Sequence, residues 1–376
     1  MIYVPLGNGE FISAVSLGAE HLEKADDALV NEVVSAAIDG GINFIDAFMP
    51  QPGVRDAIGK ALKGRRGKVM LAGHLGASLD AGGQYERSRD EKTSLRMIED
   101  FLRRTRSDVI DLLMLHFVDD PGDARDVFAP GGLCELAHRL KREGKARMIG
   151  MSSHAPSAAR MAVESGMLDA LMFPVNPLHD VLDTDDISRL FGDDYPATAH
   201  GTAPEKAELY RAALREGVAI LAMKPYAAGR LLASGADMPP MTPAQCIHYA
   251  LSQPGVVSAV CGCKSAAEVQ AAVAYCTADD AEKDLAVLSV SRLWKNPGCM
   301  YCNHCLPCPV GIDVAEVTRL LDAAKNAGRP TYAMRDRMRA LSAQPSACIA
   351  CGACEENCPF GIKVSENMRH AAALYA

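Results

Sequence analysis

The strongest constraint on this chain of 376 residues is a pair of short cysteine runs near its C-terminal end. Eight of the thirteen cysteines lie in these runs, and each run ends in Cys-Pro. The second run reads Cys348-x2-Cys351-x2-Cys354-x3-Cys358-Pro359. The first reads Cys299-x2-Cys302-x2-Cys305-x2-Cys308-Pro309. The second spacing is the one with which bacterial ferredoxins hold a 4Fe–4S cluster.

The two runs predict two 4Fe–4S clusters that exchange ligands. In two-cluster domains the last cysteine of a run, which precedes the proline, ligates the other cluster. One cluster is therefore expected on Cys299, Cys302, Cys305 and Cys358. The other is expected on Cys348, Cys351, Cys354 and Cys308. Zinc sites and disulfides are the alternatives, but zinc gives no reason for two Cys-Pro endings, and disulfides do not suit a reducing compartment.

Composition and charge limit the classes of function. A hydrophobic share of 49% and a charged share of 23% are typical of a globular protein. The net charge of −8 argues against nucleic acid as a partner, because phosphate backbones attract basic surfaces. No apolar run in the sequence reaches the length of a membrane span, and the first residues lack a secretory signal pattern. We therefore expect a cytoplasmic protein that does not bind membranes.

The rest of the chain alternates apolar runs with amphipathic segments. The eight apolar runs are residues 14–17, 42–45, 69–72, 110–115, 148–151, 170–173, 218–223 and 256–260. Continuous apolar strands of this kind are buried on both faces, as in a parallel sheet. Eight strand–helix units predict an α/β fold, a (β/α)8 TIM barrel followed by a small ferredoxin-like iron–sulfur domain. A doubly wound sheet is the alternative, but its glycine-rich turn is missing after the first strand.

The expected domain boundaries follow from this rhythm. The barrel should occupy residues 1–277, a connecting helix or linker residues 278–296, and the two-cluster domain residues 297–376. A long acidic loop is expected over residues 176–203, after the sixth strand. Long loops on barrels are often binding loops.

Five stretches of the barrel resemble the aldo/keto reductase family. They are GINFIDA at 41–47, IGKALKGRR at 58–66, DLLMLH at 111–116, EGKARMIGMS at 143–152 and MKP at 223–225. They occur in the family's order, and with the cysteine-rich end the whole chain resembles a bacterial subgroup that carries a two-cluster ferredoxin domain. The resemblance implies an oxidoreductase.

The family's catalytic tetrad of Asp, Tyr, Lys and His is only half present. The resemblance places its Asp at Asp46 and its His at His116. The tyrosine is expected about five residues after Asp46, where residues 47–53 contain none, and His74 takes the position of the lysine. Because histidine titrates near neutral pH, His74 or His116 is expected to act as the proton donor. A mononuclear metal on Asp46, His74 and His116 stays open as an alternative.

Other polar residues at strand ends are candidates for substrate and cofactor binding. Substrate-binding candidates are His154, Asn176, His179 and Lys224. In the resemblance, the NADP(H) site falls on Ser152, Lys264, Ser265 and Glu268. In this resemblance Glu268 and Pro174 replace glutamines that the family uses, and Ala272 replaces an asparagine. We therefore expect weak NADP(H) binding or none, and the sequence leaves a flavin open as well.

These expectations combine into one functional hypothesis. The protein is expected to be an iron–sulfur oxidoreductase that acts on a small carbonyl or related compound at the barrel mouth. Ferredoxin, flavodoxin or a flavoprotein is expected as its electron carrier. The alternatives are an NADPH-dependent carbonyl reductase with structural clusters and a non-catalytic electron-transfer subunit. The sequence does not identify the substrate, the direction of reaction or the oligomeric state.

Overall fold

A computed structural model describes most of the chain. The described residues are 1–180, 202–233, 240–290, 299, 303, 305–326, 329–358 and 362–375. Most of the acidic loop at 176–203 lies outside them, as do Cys302 and Pro359. The described residues form two compact units, the first built from 1–79, 87–180, 202–233 and 240–290, the second from 80–86 and the part from 299 onward.

Twelve strands occur in the described part of the chain. They are β1 Tyr3–Gly7, β2 Glu10–Ser13, β3 Val15–Gly18, β4 Phe44–Asp46, β5 Met70–Leu75, β6 Ala77–Leu79, β7 Tyr85–Arg87, β8 Ile110–Leu115, β9 Ala146–Ser152, β10 Ala170–Pro174, β11 Ala219–Met223 and β12 Val256–Gly262. Eight of them close into a barrel in the order β10-β11-β12-β3-β4-β5-β8-β9. The barrel pairings with a described register are parallel, so the predicted (β/α)8 fold is confirmed.

Helices connect these strands and build the second unit. They are α1 Asp27–Asp39, α2 Pro52–Ala61, α3 Glu91–Thr105, α4 Pro121–Phe128, α5 Leu133–Arg142, α6 Pro156–Glu164, α7 Pro177–Asp180, α8 Pro204–Glu216, α9 Pro243–Leu251, α10 Ala266–Val273, α11 Val314–Asn326, α12 Tyr332–Arg339, α13 Ala353–Glu356 and α14 Val364–Tyr375. Side-chain caps begin several of them, as where Asp26 accepts the Leu29 N–H. Within the described residues, no helix is both long and apolar enough to cross a membrane.

The barrel strands divide their side chains between two apolar clusters. In β8, Leu112 and Met114 belong to the cluster inside the barrel, whereas Leu113 and Leu115 pack against the outer helices. This follows from the two-residue repeat of a strand, which turns successive side chains to opposite faces. Both faces are buried, and for this reason the strands appear in the sequence as unbroken apolar runs.

Two antiparallel hairpins were not predicted from the sequence. The hairpin β1–β2 contributes Leu6 and Ile12 to the interior cluster of the barrel. The second hairpin, β6–β7, follows the third barrel strand. Residues 80–86, which include its turn, belong to the second unit. Both hairpins are made of strands of three to five residues, which are too short to show a periodicity of their own.

A connecting helix or linker was expected over residues 278–296, and its described part, residues 278–290, consists of turns and a short helix. A 3₁₀ helix spans Ala286–Val290. Before it, the Asp279 and Glu282 side chains each accept the backbone N–H of the other. Asp284 then accepts the Ala286 N–H. Acidic side chains that accept nearby N–H groups in this way favour turns over a continuous helix. The division at 278–296 stays a prediction.

Helix α2 gives a test of how closely the outer helices pack. A Cβ at Gly59 would lie 2.1 Å from the Arg104 carbonyl oxygen, whereas a Cβ at Gly53 in the same helix would meet nothing within 4 Å. We predict that Gly59→Ala destabilises the protein by about 1–3 kcal/mol, because α3 must move. Gly53→Ala should be neutral or stabilise by up to about 1 kcal/mol, through helix propensity. Urea unfolding followed by circular dichroism compares them, and equal midpoints would contradict the close contact.

Candidate functional site

The alternation of the strands brings three of the predicted residues to one place. Phe44, Ala72 and Met114 face the barrel interior on β4, β5 and β8. Two residues further along the chain from each of them come Asp46, His74 and His116, which the same alternation turns inward. They lie at the C-terminal ends of adjacent parallel strands, the end of a TIM barrel where chemistry is built.

These three side chains form a hydrogen-bonded line. Asp46 Oδ1 lies 2.9 Å from His74 Nε2, and His74 Nδ1 lies 2.8 Å from His116 Nδ1. All three residues are buried. Phe48 stacks on the His116 ring, with centroids 5.5 Å apart and planes 16° apart. An aromatic ring without a hydroxyl therefore covers the histidine pair, in the stretch where the family resemblance expected a tyrosine.

The line does not have the geometry of a metal site. Both ring nitrogens of His74 are used, one toward Asp46 and one toward His116, so neither is directed at a shared ion. In the described part of the chain, no group of three or more His, Cys, Asp or Glu side chains is placed to hold a metal ion. The arrangement is that of a carboxylate orienting an imidazole pair.

A second hydrogen-bonded line is formed by polar side chains that follow β8, β9 and β11. His154 Nδ1 donates to Asp119 Oδ2 at 2.9 Å, and Lys224 Nζ donates to His154 Nε2 at 2.8 Å. The backbone N–H of His154 also donates to Asp119, at 2.6 Å. Lys224 has a left-handed backbone, with φ 54°, and its carbonyl accepts from Asn176 Nδ2 at 3.0 Å. Three of the four predicted substrate-binding residues are therefore in one hydrogen-bonded group.

Burial shifts the proton affinities of this second line. Burial raises the pKa of Asp119 to about 6, although hydrogen bonds from His154 and Ser153 and the charge of Lys224 act in the other direction. Burial, and next the positive charge of Lys224, lower the pKa of His154 well below its usual range. His154 is therefore neutral at pH 7, with its proton on Nδ1, which agrees with Lys224 donating to Nε2.

The fourth candidate, His179, belongs to a buried network beside this line. Its pKa is lowered to about 4, first by burial and then by Lys206, which donates to the His179 carbonyl oxygen. The neighbouring Asp180 carboxylate accepts from the hydroxyls of Tyr210, at 2.7 Å, and Tyr249, at 3.0 Å. This network fixes the chain at the point where the segment 176–203 begins.

Backbone contacts hold the segment that follows β8. Arg89 donates to the carbonyl oxygens of both His116 and Phe117, at 2.9 Å in each case. Ser152 Oγ, predicted as a cofactor contact, accepts the Phe117 N–H at 2.9 Å. Phe117 lies edge-on to the His154 ring, at 5.4 Å between centroids, and so stands between the two polar lines.

Sequence reasoning missed Asp119, Phe48, Phe117 and Arg89. Asp119 carried a usable signal, since it is an acidic residue three positions after His116 at the end of a predicted strand. Phe48, Phe117 and Arg89 carried none, because a ring or a guanidinium near a strand end is common. These three residues pack against the site and position its backbone. Such contacts depend on distances between atoms, which the spacing of residues in the sequence does not give.

The predicted NADP(H) positions are engaged with one another. Ser265 begins α10, and its hydroxyl accepts the Glu268 N–H at 3.2 Å. Glu268 Oε2 accepts the Lys264 N–H at 2.7 Å. A carboxylate therefore occupies the N-terminus of α10, a position that would otherwise favour a phosphate. Ala272 is fully buried.

Four cysteines from the two runs line one cavity in the second unit. They are Cys308, Cys348, Cys351 and Cys354, and the rest of the lining is mostly apolar, with Ile312, Val314, Val364 and Met368 among it. Burial raises the pKa of the Cys354 thiol to about 11, and Glu355 and the other three cysteines add to the effect. This is the set expected for one of the two clusters.

The cysteines of the other predicted set differ in exposure. Of the other predicted set, Cys305 is buried, Cys299 and Cys358 are half-buried, and Cys302 lies outside the described residues.

Comparisons with known proteins agree with the barrel and with part of the cysteine-rich end. The model of the aldo/keto reductase family matches residues 14–246, and that of a 4Fe-4S binding domain matches residues 343–363. Aldo-keto reductase YhdN of Bacillus subtilis is 31% identical over 134 residues. That match spans 34% of this chain and only 38% of YhdN.

Solved structures share the barrel fold. Aldo-keto reductase AKR11C1 from Bacillus halodurans, in its holo form, is similar with a TM-score of 0.61 and 22% identity, covering 78% of this chain and 97% of that one. The protein PA4992 from Pseudomonas aeruginosa is similar with a TM-score of 0.56 and 22% identity, covering 73% and 93%. Because the family model spans more than half of its length, the chain belongs to the aldo/keto reductase family of oxidoreductases, and it carries a C-terminal 4Fe–4S binding domain.

Proposed function

We propose that this protein is an iron–sulfur oxidoreductase that acts on a small organic carbonyl, or a related compound, at the C-terminal end of its barrel. The observation that carries the proposal is the buried, hydrogen-bonded Asp46–His74–His116 line. The family resemblance places Asp46, His74 and His116 at tetrad positions and finds neither the tyrosine nor the lysine there. The cavity lined by Cys308, Cys348, Cys351 and Cys354 supports the iron–sulfur part.

The line can hold and deliver one proton. Asp46 accepts from His74 Nε2, so His74 presents Nδ1 to Nδ1 of His116. One proton lies between these two nitrogens. When a second proton joins the pair, the Asp46 carboxylate, 2.9 Å from His74, balances the positive charge. Release of that proton to a substrate oxygen is the general-acid step that the family assigns to tyrosine.

The second polar line supplies the substrate's polar contacts in this proposal. Lys224 carries a positive charge, and neutral His154 holds its amine in position while Asp119 fixes the imidazole. Asn176 fixes the backbone of Lys224, and His179 lies in the adjacent network. An oxygen-rich small molecule would find donors here and the acid at His116.

In this proposal the second unit contributes electron transfer through the clusters that its cysteines hold. When bound, 4Fe–4S clusters exchange single electrons. We propose that Cys348, Cys351, Cys354 and Cys308 hold one cluster and that Cys299, Cys302, Cys305 and Cys358 hold the other. An external one-electron carrier of the ferredoxin, flavodoxin or flavoprotein class would then be the redox partner.

The histidine pair gives the first test of the proposal. We predict that His74→Ala and His116→Ala each lower turnover about a hundredfold or more, the range for general acid–base groups. Turnover is measured with reduced methyl viologen as the electron source and a carbonyl compound that the wild-type protein reduces. His138→Ala is the matched control, since His138 lies on α5 and contacts the Met167 carbonyl oxygen. Full activity in His74→Ala would refute the proposed line.

Iron content tests the exchange of ligands between the runs. Anaerobically purified protein should contain about eight iron and eight sulfide per chain, and Cys351→Ala should contain about four iron. Adding Cys308→Ala to Cys351→Ala should cost no further iron, because both residues belong to one cluster. Adding Cys358→Ala instead should remove the remaining four. The opposite pattern would assign each run to its own cluster, and about four iron in the wild-type protein would leave one run without a cluster.

The third prediction concerns nicotinamide. The Glu268 carboxylate at the start of α10 should repel the 2′-phosphate of NADPH, so we expect a dissociation constant well above about 1 μM. Glu268→Gln should tighten binding severalfold, while Glu32→Gln, on the exposed face of α1, should not change it. Calorimetric titration measures both. Binding at or below about 1 μM, near −8 kcal/mol, would favour an NADPH-dependent carbonyl reductase with structural clusters.

A further inference from the structure

One side chain from far along the chain contacts a proposed cluster ligand. The backbone N–H of Cys308 donates to Gln84 Oε1 at 3.0 Å, across 224 positions of sequence. Gln84 belongs to the turn of the β6–β7 hairpin, and residues 80–86 pack within the second unit. None of the proposed roles of the barrel or of the cysteines accounts for this contact.

The turn that carries Gln84 is held by its own hydrogen bonds. The Asp80 carboxylate accepts the N–H groups of Gly82 and Gln84, each at 2.8 Å. Asp80 N–H donates to the Gln84 carbonyl at 2.9 Å, and Gly83 has a φ of +78°, which favours glycine. The backbone of Gln84 is therefore fixed before its side chain reaches Cys308.

Cys308 makes a second backbone hydrogen bond, through its carbonyl oxygen, within its own segment of the chain. The Cys308 carbonyl accepts the Gly311 N–H at 2.9 Å. A Cβ on Gly311 would lie 3.8 Å from Gln84 Nε2, so the Gln84 amide group runs beside this segment. Cys308 thus has both of its backbone hydrogen-bonding groups occupied at the edge of the cavity that its side chain lines.

We propose that Gln84 is a positioning residue that sets the reduction potential of the cluster held by Cys308. Hydrogen bonds to cluster sulfurs and solvent exposure are main determinants of these potentials. By accepting the Cys308 N–H, Gln84 prevents that N–H from donating to a cluster sulfur. The Gln84 side chain also shields the segment after Cys308 from solvent. The role rests on the proposed cluster and extends it, because it assigns potential control to a residue outside both cysteine runs.

Two substitutions of Gln84 should shift the reduction potential of the cluster in opposite directions. Gln84→Ala releases the Cys308 N–H and admits water, and both effects stabilise the more negative reduced cluster and raise its potential. Gln84→Glu keeps an oxygen acceptor for the N–H but adds a negative charge, which lowers the potential. A residue that only supported the fold would not produce opposite shifts in the two variants.

The experiment is a redox titration of the full-length holoprotein, followed by electron paramagnetic resonance. Gln84→Ala should shift the midpoint potential of one cluster upward, and Gln84→Glu should shift the same cluster downward. The other cluster should be unchanged, as should both clusters in Gln270→Ala, a control at an exposed glutamine of α10. In the background of Cys351→Ala, which removes the cluster of Cys308, neither Gln84 variant should shift the remaining cluster.

Wild-type midpoints in both Gln84 variants would overturn the inference. If Gln84→Ala loses four iron, the result depends on Gln84→Glu, in which an unchanged midpoint overturns the inference and a downward shift supports it. Failure of the underlying proposal looks different, because wild-type protein without about eight iron refutes the two clusters before any Gln84 variant is examined.

Discussion

The two-residue repeat of the barrel strands is the constraint on which the candidate site depends. Each strand sends alternate side chains inward, and Phe44, Ala72 and Met114 fill the interior in this way. One repeat further on, at the open end of the barrel, the inward positions hold Asp46, His74 and His116. A shift of one residue in any of these strands would turn its polar residue away from the line. The packing of the interior and the alignment of these three side chains therefore share one register.

Much of this arrangement could be predicted from the sequence, because it depends on local repeats. The eight apolar runs predicted the eight barrel strands, and the barrel is confirmed. The strand-end positions of Asp46, His74 and His116 follow from where those runs stop. The hydrogen bonds between them do not, since the approach of His74 to His116 depends on how adjacent strands are staggered. Their catalytic roles stay a prediction.

The features that sequence reasoning missed depend on contacts between distant segments. Asp119 became visible only when it was found 2.9 Å from His154, which follows the next strand of the barrel. The β6–β7 hairpin has three-residue strands, and nothing in residues 77–87 indicates that Gln84 reaches Cys308. The cysteine runs were more informative, because a fixed spacing of ligands is itself a three-dimensional requirement. Even there, only the structure shows the four cysteines of one predicted set around a single cavity.

The family resemblance finds neither the catalytic tyrosine nor the lysine in this chain, and the proposed electron source gives a reason for that expectation. A hydride carries both electrons, so reduction of a carbonyl by NADPH needs one acid and one proton. Delivery of the same two electrons singly requires two protons to form the alcohol. The family's tyrosine, with its hydroxyl beside the lysine ammonium, gives one proton. It must take up another proton before it can give a second. The Asp46–His74–His116 line has two hydrogen-bonded imidazoles beside a carboxylate, which we propose deliver one proton. The neighbouring line of Asp119, His154 and Lys224 contains further ionisable groups. If these groups carry protons as proposed, a connected site suits a stepwise supply of electrons. The Glu268 carboxylate at the start of α10 agrees with the weak NADPH binding that we predict.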